Sequence, residues 1–211
     1  LENNKELDFA IELPDIGRFR GNYYYTMNGD LAAAFRIIPI NIPSLDELNA
    51  PQIFKHIIKR EKGLILVTGP TGSGKSTTLA NIIEKLNRNK NLKILTIEDP
   101  IEYIFENKKS LIIQRELGKD VESFEKALKS SLRQDPDVII LGEIRDEESL
   151  YSALKLAETG HLVFSTLHTM NTVESVNRLI SMVRSEKKDF IREQFCLLYT
   201  SPSPRDGLLS R

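Results

Sequence analysis

The clearest chemistry in this sequence belongs to one glycine-rich segment, Gly69-Pro70-Thr71-Gly72-Ser73-Gly74-Lys75-Ser76. It matches the full G-x-x-x-x-G-K-[ST] pattern, in which backbone N–H groups and a helix N-terminus surround a phosphate. Lys75 is expected to reach the β- and γ-phosphates, and the Ser76 hydroxyl is expected to bind Mg²⁺. A chance glycine-rich turn is the alternative, but the segment lies between a predicted strand and a predicted helix. We therefore predict that this segment and the adjoining Thr77 bind ATP with Mg²⁺.

Three further polar clusters each follow a predicted strand. Glu98-Asp99-Pro100-Ile101-Glu102 follows one strand, Gly142-Glu143 follows another, and His168 lies at the end of a third. The carboxyl ends of parallel strands meet at one edge of a sheet, where ligands bind. These side chains are therefore expected to lie beside the glycine-rich segment. Asp135 and Asp137 precede their strand instead, so they are expected at the opposite edge as capping or turn residues.

ATP hydrolysis requires a carboxylate near Mg²⁺ and a second group that orients the attacking water. Glu143 is the candidate for the first role, and either Glu102 or Glu98 is the candidate for the second. The alternative for each carboxylate is a solvated loop residue, but their shared position at one edge favours the catalytic interpretation. His168 has two interpretations, a γ-phosphate contact or an ordinary structural group.

The pattern of apolar residues predicts the elements that must position these groups. Strands are predicted at Leu64–Thr68, Lys93–Ile97, Leu111–Gln114, Val138–Leu141 and Leu162–Thr166, and helices between and after them from 3.6-residue spacing. One of these helices begins with Asp146 as its N-cap and ends before Gly160. Apolar strands alternating with amphipathic helices indicate an α/β fold with a parallel sheet covered on both faces.

The part of the chain before this pattern is predicted to differ. Tyr23–Tyr25 and Ala34–Ile38 have strand-forming content, and Asn28-Gly29-Asp30 lies between them as a turn. Three prolines then mark a linker, and a short helix is predicted over residues 51–60.

Composition narrows the classes of function. The chain has 211 residues, of which 40% are hydrophobic and 28% charged, as in ordinary soluble proteins. No apolar run approaches the ~20 residues that span a bilayer, and the polar first residues are not expected to form a signal peptide. Cys196 is the only cysteine, which favours a reducing cytoplasm. The formal net charge of −1 offers no basic footprint for nucleic acid.

Four motifs occur in a fixed order along the chain. They span Gly69–Thr78, Thr96–Tyr103, Asp135–Asp146 and Thr159–Thr169. In that order they resemble the Walker A, Asp box, Walker B and His box motifs of the type II/type IV secretion ATPases. The resemblance covers about residues 8–182.

Within that superfamily the chain most resembles the pilus-retraction, twitching-motility branch, through Arg18-Phe19-Arg20, Phe35-Arg36-Ile37-Ile38-Pro39 and Gln114-Arg115-Glu116-Leu117-Gly118. ATPases of pilus assembly or type II secretion are the alternative, with the same chemistry and a different mechanical output. A RecA-like nucleic-acid translocase is less favoured, because the charge is near neutral and translocases lack the Asp and His boxes. A scaffold that binds nucleotide without hydrolysing it is also less favoured, because such a protein would need neither Glu102 nor Glu143.

The resemblance implies a homo-hexamer of subunits that combine a PAS-like domain with a RecA-like ATPase domain. It implies a position at the cytoplasmic face of the inner membrane, a pilus platform protein as partner, and no nucleic acid. Glu102 would be the catalytic glutamate, Glu143 the Walker B acid that holds Mg²⁺ through water, and His168 a γ-phosphate contact. Arginines of the N-terminal domain approach nucleotide in this family, and the matching residues here are Arg18, Arg20 and Arg36.

We predict three segments. Residues 1–43 would be the C-terminal part of the small PAS-like α+β domain with its linker, and residues 44–195 a RecA-like P-loop core truncated at its C-terminus. Residues 196–211 are predicted to be a non-native tail, with a genuine flexible tail as the alternative. Two prolines between Thr200 and Gly207 cannot continue a helix, and the tail offers little apolar surface. It is therefore expected to pack against nothing.

Overall fold

The computed structural model of the chain describes residues 5–14, 16–38, 42–43, 47, 53–188, 191 and 198–202. Its strands are β1 (Glu6–Leu13), β2 (Gly17–Tyr25), β3 (Leu31–Ile38), β4 (Gly63–Thr68), β5 (Lys93–Glu98), β6 (Leu111–Glu116), β7 (Val138–Leu141), β8 (Leu162–Leu167) and β9 (Leu198–Pro202). Its helices are α1 (Ile53–Ile57), α2 (Lys75–Asn89), α3 (Phe124–Ser131), α4 (Glu147–Glu158) and α5 (Thr172–Met182), and a 3₁₀ turn covers Ser185–Lys187. Among the helices described, none has the length and apolar character that crossing a lipid bilayer requires.

The chain divides into two compact units. One comprises Leu1–Ile42 with Glu102–Ile104, and the other comprises Pro43–Ile101 with Phe105–Arg211. The helix predicted over residues 51–60 is observed as the shorter α1. The N–H groups of Lys59 and Arg60 donate to carbonyl groups three residues earlier, so the α-helical hydrogen-bond pattern ends before them. Cys196 lies outside the described residues.

The first unit contains an antiparallel sheet in the order β1-β2-β3. The predicted strands around Tyr23–Tyr25 and Ala34–Ile38 are both present, and a turn at Thr26–Asp30 joins them. β1 was not predicted, although Leu7, Phe9 and Ile11 recur at every second position, which is the period-2 signal of a strand. One face of this sheet is therefore largely apolar, and the opposite face carries charged residues together with small and apolar ones.

The second unit contains a parallel sheet in the order β6-β5-β7-β8-β4-β9. β4, β7 and β8 are buried along their whole length, so they carry apolar residues toward both faces. The chain leaves β4 through α2 and crosses to β5 on the far side of β7 and β8. This crossing creates the reversal in strand order at which α/β sheets bind ligands.

Alternate residues of the central strands supply two separate cores. Leu64 and Leu66 of β4 belong to the core that also contains Leu150 and Ala153 of α4. Ile65 and Val67 of β4 belong to the core that contains α1 and α2. The predicted α/β fold, with a parallel sheet covered on both faces, is therefore confirmed.

Polar side chains fix the ends of the elements as predicted. The Asp146 carboxylate caps α4 by accepting the Ser149 N–H at 2.7 Å, and Gly160 follows that helix with a φ of 100°. At the opposite edge of the sheet, the Asp137 carboxylate accepts the Lys93 N–H at 2.7 Å. Asp135 has a φ of 50° in the turn before β7. Both aspartates thus lie away from the glycine-rich loop.

The tail does not match its prediction in one respect. Leu198–Pro202 forms β9, which pairs in parallel with β4 at the edge of the sheet. The expectation that residues 197–211 pack against nothing is wrong for these five residues. The physical reason is that a free strand edge pairs with any extended backbone, whatever its side chains. Residues 203–211 lie outside the described part of the chain, and the non-native origin of the tail stays a prediction.

We expect deletion of residues 197–211 to leave the melting temperature unchanged within error. Backbone hydrogen bonds of an edge strand replace bonds to water, so their net stabilisation is small, and Pro202 has no N–H to donate. Thermal denaturation of the intact and shortened chains by circular dichroism tests this. A fall of several degrees on deletion would contradict it and make β9 a stabilising part of the sheet.

Candidate nucleotide-binding site

The glycine-rich segment forms a loop that joins β4 to α2. Gly72 and Gly74 have φ values of 80° and 95°, in the left-handed region that glycine adopts without strain. Gly74 is the N-cap of α2 and provides no side-chain cap, and the first turn of that helix has no acidic residue. The N–H groups of this turn are therefore suited to an external anion such as a phosphate.

Lys75 lies across this loop. Its side chain is nearly buried, and its Nζ donates to the carbonyl oxygens of Gly69 at 2.8 Å and Pro70 at 3.0 Å. The same Nζ lies 3.4 Å from Nδ1 of His168, and the Thr71 hydroxyl lies 3.4 Å from that nitrogen. The lysine predicted to bind phosphate is therefore held inside the loop and next to the predicted γ-phosphate contact.

His168 connects the loop to Glu143. An ammonium group can only donate, so Nδ1 of His168 accepts from Lys75 and a neutral ring carries its proton on Nε2. Nε2 lies 3.8 Å from Oε2 of Glu143. The structure thus brings together three groups that the sequence predicted to meet at one edge of the sheet.

Arg145 and Asp99 extend this arrangement. Nη2 of Arg145 contacts Oε1 of Glu143, and its Nη1 donates to Oδ2 of Asp99 at 3.0 Å. The hydrogen bond to Glu143, aided by the charges of both carboxylates, raises the pKa of Arg145 above its ordinary value. Sequence reasoning missed Arg145, although a basic residue two positions after the Walker B acid was a usable signal.

The loop that carries Glu143 is fixed to the neighbouring strands. The Thr166 hydroxyl donates to the Gly142 carbonyl at 2.7 Å, and the Ile144 N–H donates to the Thr166 carbonyl at 3.3 Å. On the other side, the Gly142 N–H donates to the Ile97 carbonyl at 2.9 Å. Glu143 therefore leaves the sheet from a backbone held by both β5 and β8.

Four other predicted residues belong to the first unit. Glu102 falls with Tyr103 and Ile104 in the first unit, as do the three predicted arginines Arg18, Arg20 and Arg36. Glu98, the alternative to Glu102, accepts a hydrogen bond of 2.7 Å from the Thr96 hydroxyl. The roles of Glu102 and of the arginines remain predictions.

The residues at the loop fit a nucleotide with Mg²⁺. Ser76 is exposed in the first turn of α2, and Glu143 is partly exposed, so both offer the oxygen ligands that Mg²⁺ prefers. Within the described residues, no group of three or more His, Cys, Asp or Glu side chains could hold a metal ion. Mg²⁺ usually shares its ligands with phosphates and water.

A comparison with protein families decides the relationship. The family described as "Type II/IV secretion system protein" matches residues 34–196. The chain belongs to the type II/IV secretion system protein family. The resemblance predicted from four ordered motifs is therefore confirmed.

Individual relatives refine this placement in the secretion system family. The chain is 52% identical over 191 residues to a "Twitching motility protein" of Neisseria gonorrhoeae, covering 90% of this chain and 51% of the relative. It is 49% identical over 130 residues to "Type II secretion system ATPase E" of Vibrio cholerae, covering 61% of this chain and 25% of the relative.

A solved structure of the pilus retraction motor PilT with bound ADP has a TM-score of 0.89 and 47% identity. The match covers 94% of this chain and 58% of that structure, and it confirms the predicted RecA-like core. The chain thus spans about half the length of the twitching-motility relative and somewhat more of the solved motor.

Replacing Lys75 is expected to weaken nucleotide binding. Lys75→Ala removes a charged donor at the phosphates, and a hydrogen bond to a charged group contributes about 1.5–3 kcal/mol, or on the order of 10- to 100-fold in affinity. Titration with a fluorescent ATP analogue and Mg²⁺ measures this. Lys85→Ala, an exposed lysine on the same helix, is the matched control. Equal affinities of Lys75→Ala and Lys85→Ala would contradict the site.

Proposed function

We propose that this chain provides the nucleotide-binding core of a Mg²⁺-dependent ATPase motor that powers retraction of a type IV pilus. The observation that carries the proposal is the contact of the P-loop lysine with His168, which itself faces Glu143. A protein that only binds nucleotide needs the loop, whereas hydrolysis also needs an acid and a polar contact beside the γ-phosphate.

Each residue of the site has a distinct proposed task. Backbone N–H groups of residues 69–77 and the ammonium of Lys75 hold the phosphates of ATP. Ser76 and, through water, Glu143 hold Mg²⁺, which neutralises charge on the phosphates. His168 contacts the γ-phosphate, and Glu102 polarises the attacking water.

Retraction is favoured over pilus assembly or type II secretion by the extent of the matches. Similarity to the twitching-motility relative covers 90% of the chain, whereas similarity to the type II secretion ATPase covers 61%. The longer match includes sequence outside the ATPase core, where motors with different mechanical outputs are expected to differ. A nucleic-acid translocase is not supported by the net charge of −1.

We further propose that the motor is a homo-hexamer whose first unit completes the site of a neighbouring subunit. Arg20 of β2 pairs directly with Arg36 of β3, and Arg18 lies two residues along the same face. Like charges directly opposite are destabilising in an antiparallel pair. An anion such as the nucleotide of a neighbour would relieve this repulsion.

The proposed location follows from the same function. A pilus motor consumes cytoplasmic ATP and must act on a membrane-embedded machine, so we propose the cytoplasmic face of the inner membrane. Its partner there would be the pilus platform protein.

Glu102→Gln is expected to separate hydrolysis from binding. It keeps the size and hydrogen-bonding capacity of the side chain but removes the carboxylate charge. The turnover number should fall by a factor on the order of 10² or more, the usual contribution of a general acid or base, with ATP affinity largely kept. Phosphate release measures turnover, and Glu98→Gln is the matched control. Normal turnover in Glu102→Gln together with loss in Glu98→Gln would assign the role to Glu98.

Mixed assemblies test the proposed sharing of sites. One subunit carries Lys75→Ala, and the other carries alanine at Arg18, Arg20 and Arg36, so neither assembly is active by itself. In a mixture, an intact loop meets an intact arginine face at some interfaces, and part of the ATPase activity should return. Two affinity tags confirm that both subunits share one assembly. Absence of recovery in verified mixed assemblies would contradict action between subunits.

A further inference from the structure

The segment that carries Glu102 is held on both sides by side chains of one strand. Before Glu102, the Ile101 N–H donates to Oε2 of Glu116 at 3.2 Å. After it, the Phe105 N–H donates to Oε1 of Gln114 at 2.9 Å. Both acceptors belong to β6, so two residues of the same strand hold the two ends of a five-residue segment.

The position of β6 in the sheet suits it to hold the segment that carries Glu102. β6 pairs with β5 along its whole length, with Gln114 beside Thr96 and Glu116 beside Glu98. Because side chains alternate along a strand, Gln114 and Glu116 extend to the same face. Arg115 extends to the other face, where it donates to the Ser130 hydroxyl and the Asp120 carbonyl. The two acceptors are therefore fixed relative to the sheet that carries the P-loop.

Glu116 is an unusual residue at this position because it is only 8% exposed. Burying a carboxylate is unfavourable unless donors surround it. The Ile101 N–H is one donor, and Nζ of Lys119 lies 3.7 Å from the other carboxylate oxygen. Its own N–H donates to the Asp120 carboxylate at 2.9 Å, which fixes the backbone from which it extends.

We infer that Gln114 and Glu116 are positioning residues that set the place of Glu102 in ATP hydrolysis. The inference rests on the proposed function, in which Glu102 polarises the attacking water. Neither residue needs to touch the nucleotide, because they act through the backbone on either side of Glu102. A misplacement of a reacting group by about 1 Å can lower a rate on the order of 100-fold.

The experiment compares variants that remove an acceptor with variants that keep it. Glu116→Ala and Gln114→Ala each remove one, whereas Glu116→Gln and Gln114→Glu keep a side-chain oxygen at the same distance. We expect each alanine variant to lower the turnover number about 10-fold or more, with KM for ATP changed less than about 3-fold. The two conservative variants should stay within about 3-fold of the unmodified chain.

A second measurement separates positioning from general damage. In the Glu102→Gln background, Glu116→Ala should cause no further loss of hydrolysis, because the group that it positions no longer works. Amide hydrogen exchange measures directly whether the N–H groups of Ile101 and Phe105 are hydrogen-bonded. Exchange at Ile101 should accelerate in Glu116→Ala and exchange at Phe105 in Gln114→Ala, while Arg115→Ala, on the opposite face of β6, should change neither. Melting temperatures identify any variant that fails to fold, and Gln114→Ala then tests the inference independently of buried Glu116.

The outcomes distinguish this inference from the function on which it rests. An unmodified chain that binds ATP and never hydrolyses it contradicts the proposed function, and the positioning role with it. An active unmodified chain with normal turnover in both alanine variants contradicts the positioning role alone. If the losses of turnover caused by Glu102→Gln and Glu116→Ala add in the double variant, the positioning role is also contradicted. Glu116 would then have a structural role only.

Discussion

The parallel direction of β4, β5, β7 and β8 is the constraint on which the rest of this structure depends. Their carboxyl ends lie along one edge of the sheet, so four loops that are distant in sequence begin next to one another. The P-loop, Asp99, Glu143 and His168 each follow one of these ends. A strand with the opposite direction would carry its polar residues to the far edge, where Asp137 lies.

Charge then organises what the sheet brings together. Positive and negative groups alternate from Lys75 through Glu143 and Arg145 to Asp99, with His168 between the first two. Each carboxylate has a positive neighbour, which limits the cost of holding it partly out of water. The same pattern connects the Walker A, Walker B and Asp box motifs through side chains.

The strand β6 illustrates how an element outside the Walker A, Asp box, Walker B and His box motifs can serve the site. It occupies the outer position next to β5, and its side chains accept backbone N–H groups from the segment that follows β5. In our proposals, the P-loop side of the sheet holds the nucleotide while this outer strand determines where Glu102 lies. Binding and hydrolysis would therefore depend on different strands of one sheet.

The sequence by itself determined the P-loop, the succession of strands and helices along the chain, and the caps at Asp146 and Gly160. It also determined the edge of the sheet at which Glu143 and His168 meet. These features depend on local patterns, because strand burial, glycine conformation and helix capping are read from neighbouring residues. Only the tertiary structure decided that Arg145 bridges Glu143 and Asp99, that Gln114 and Glu116 hold the Glu102 segment, and that β9 pairs with β4. Such contacts join residues far apart in the chain, and their partners are selected by strand order and register, which no local pattern encodes.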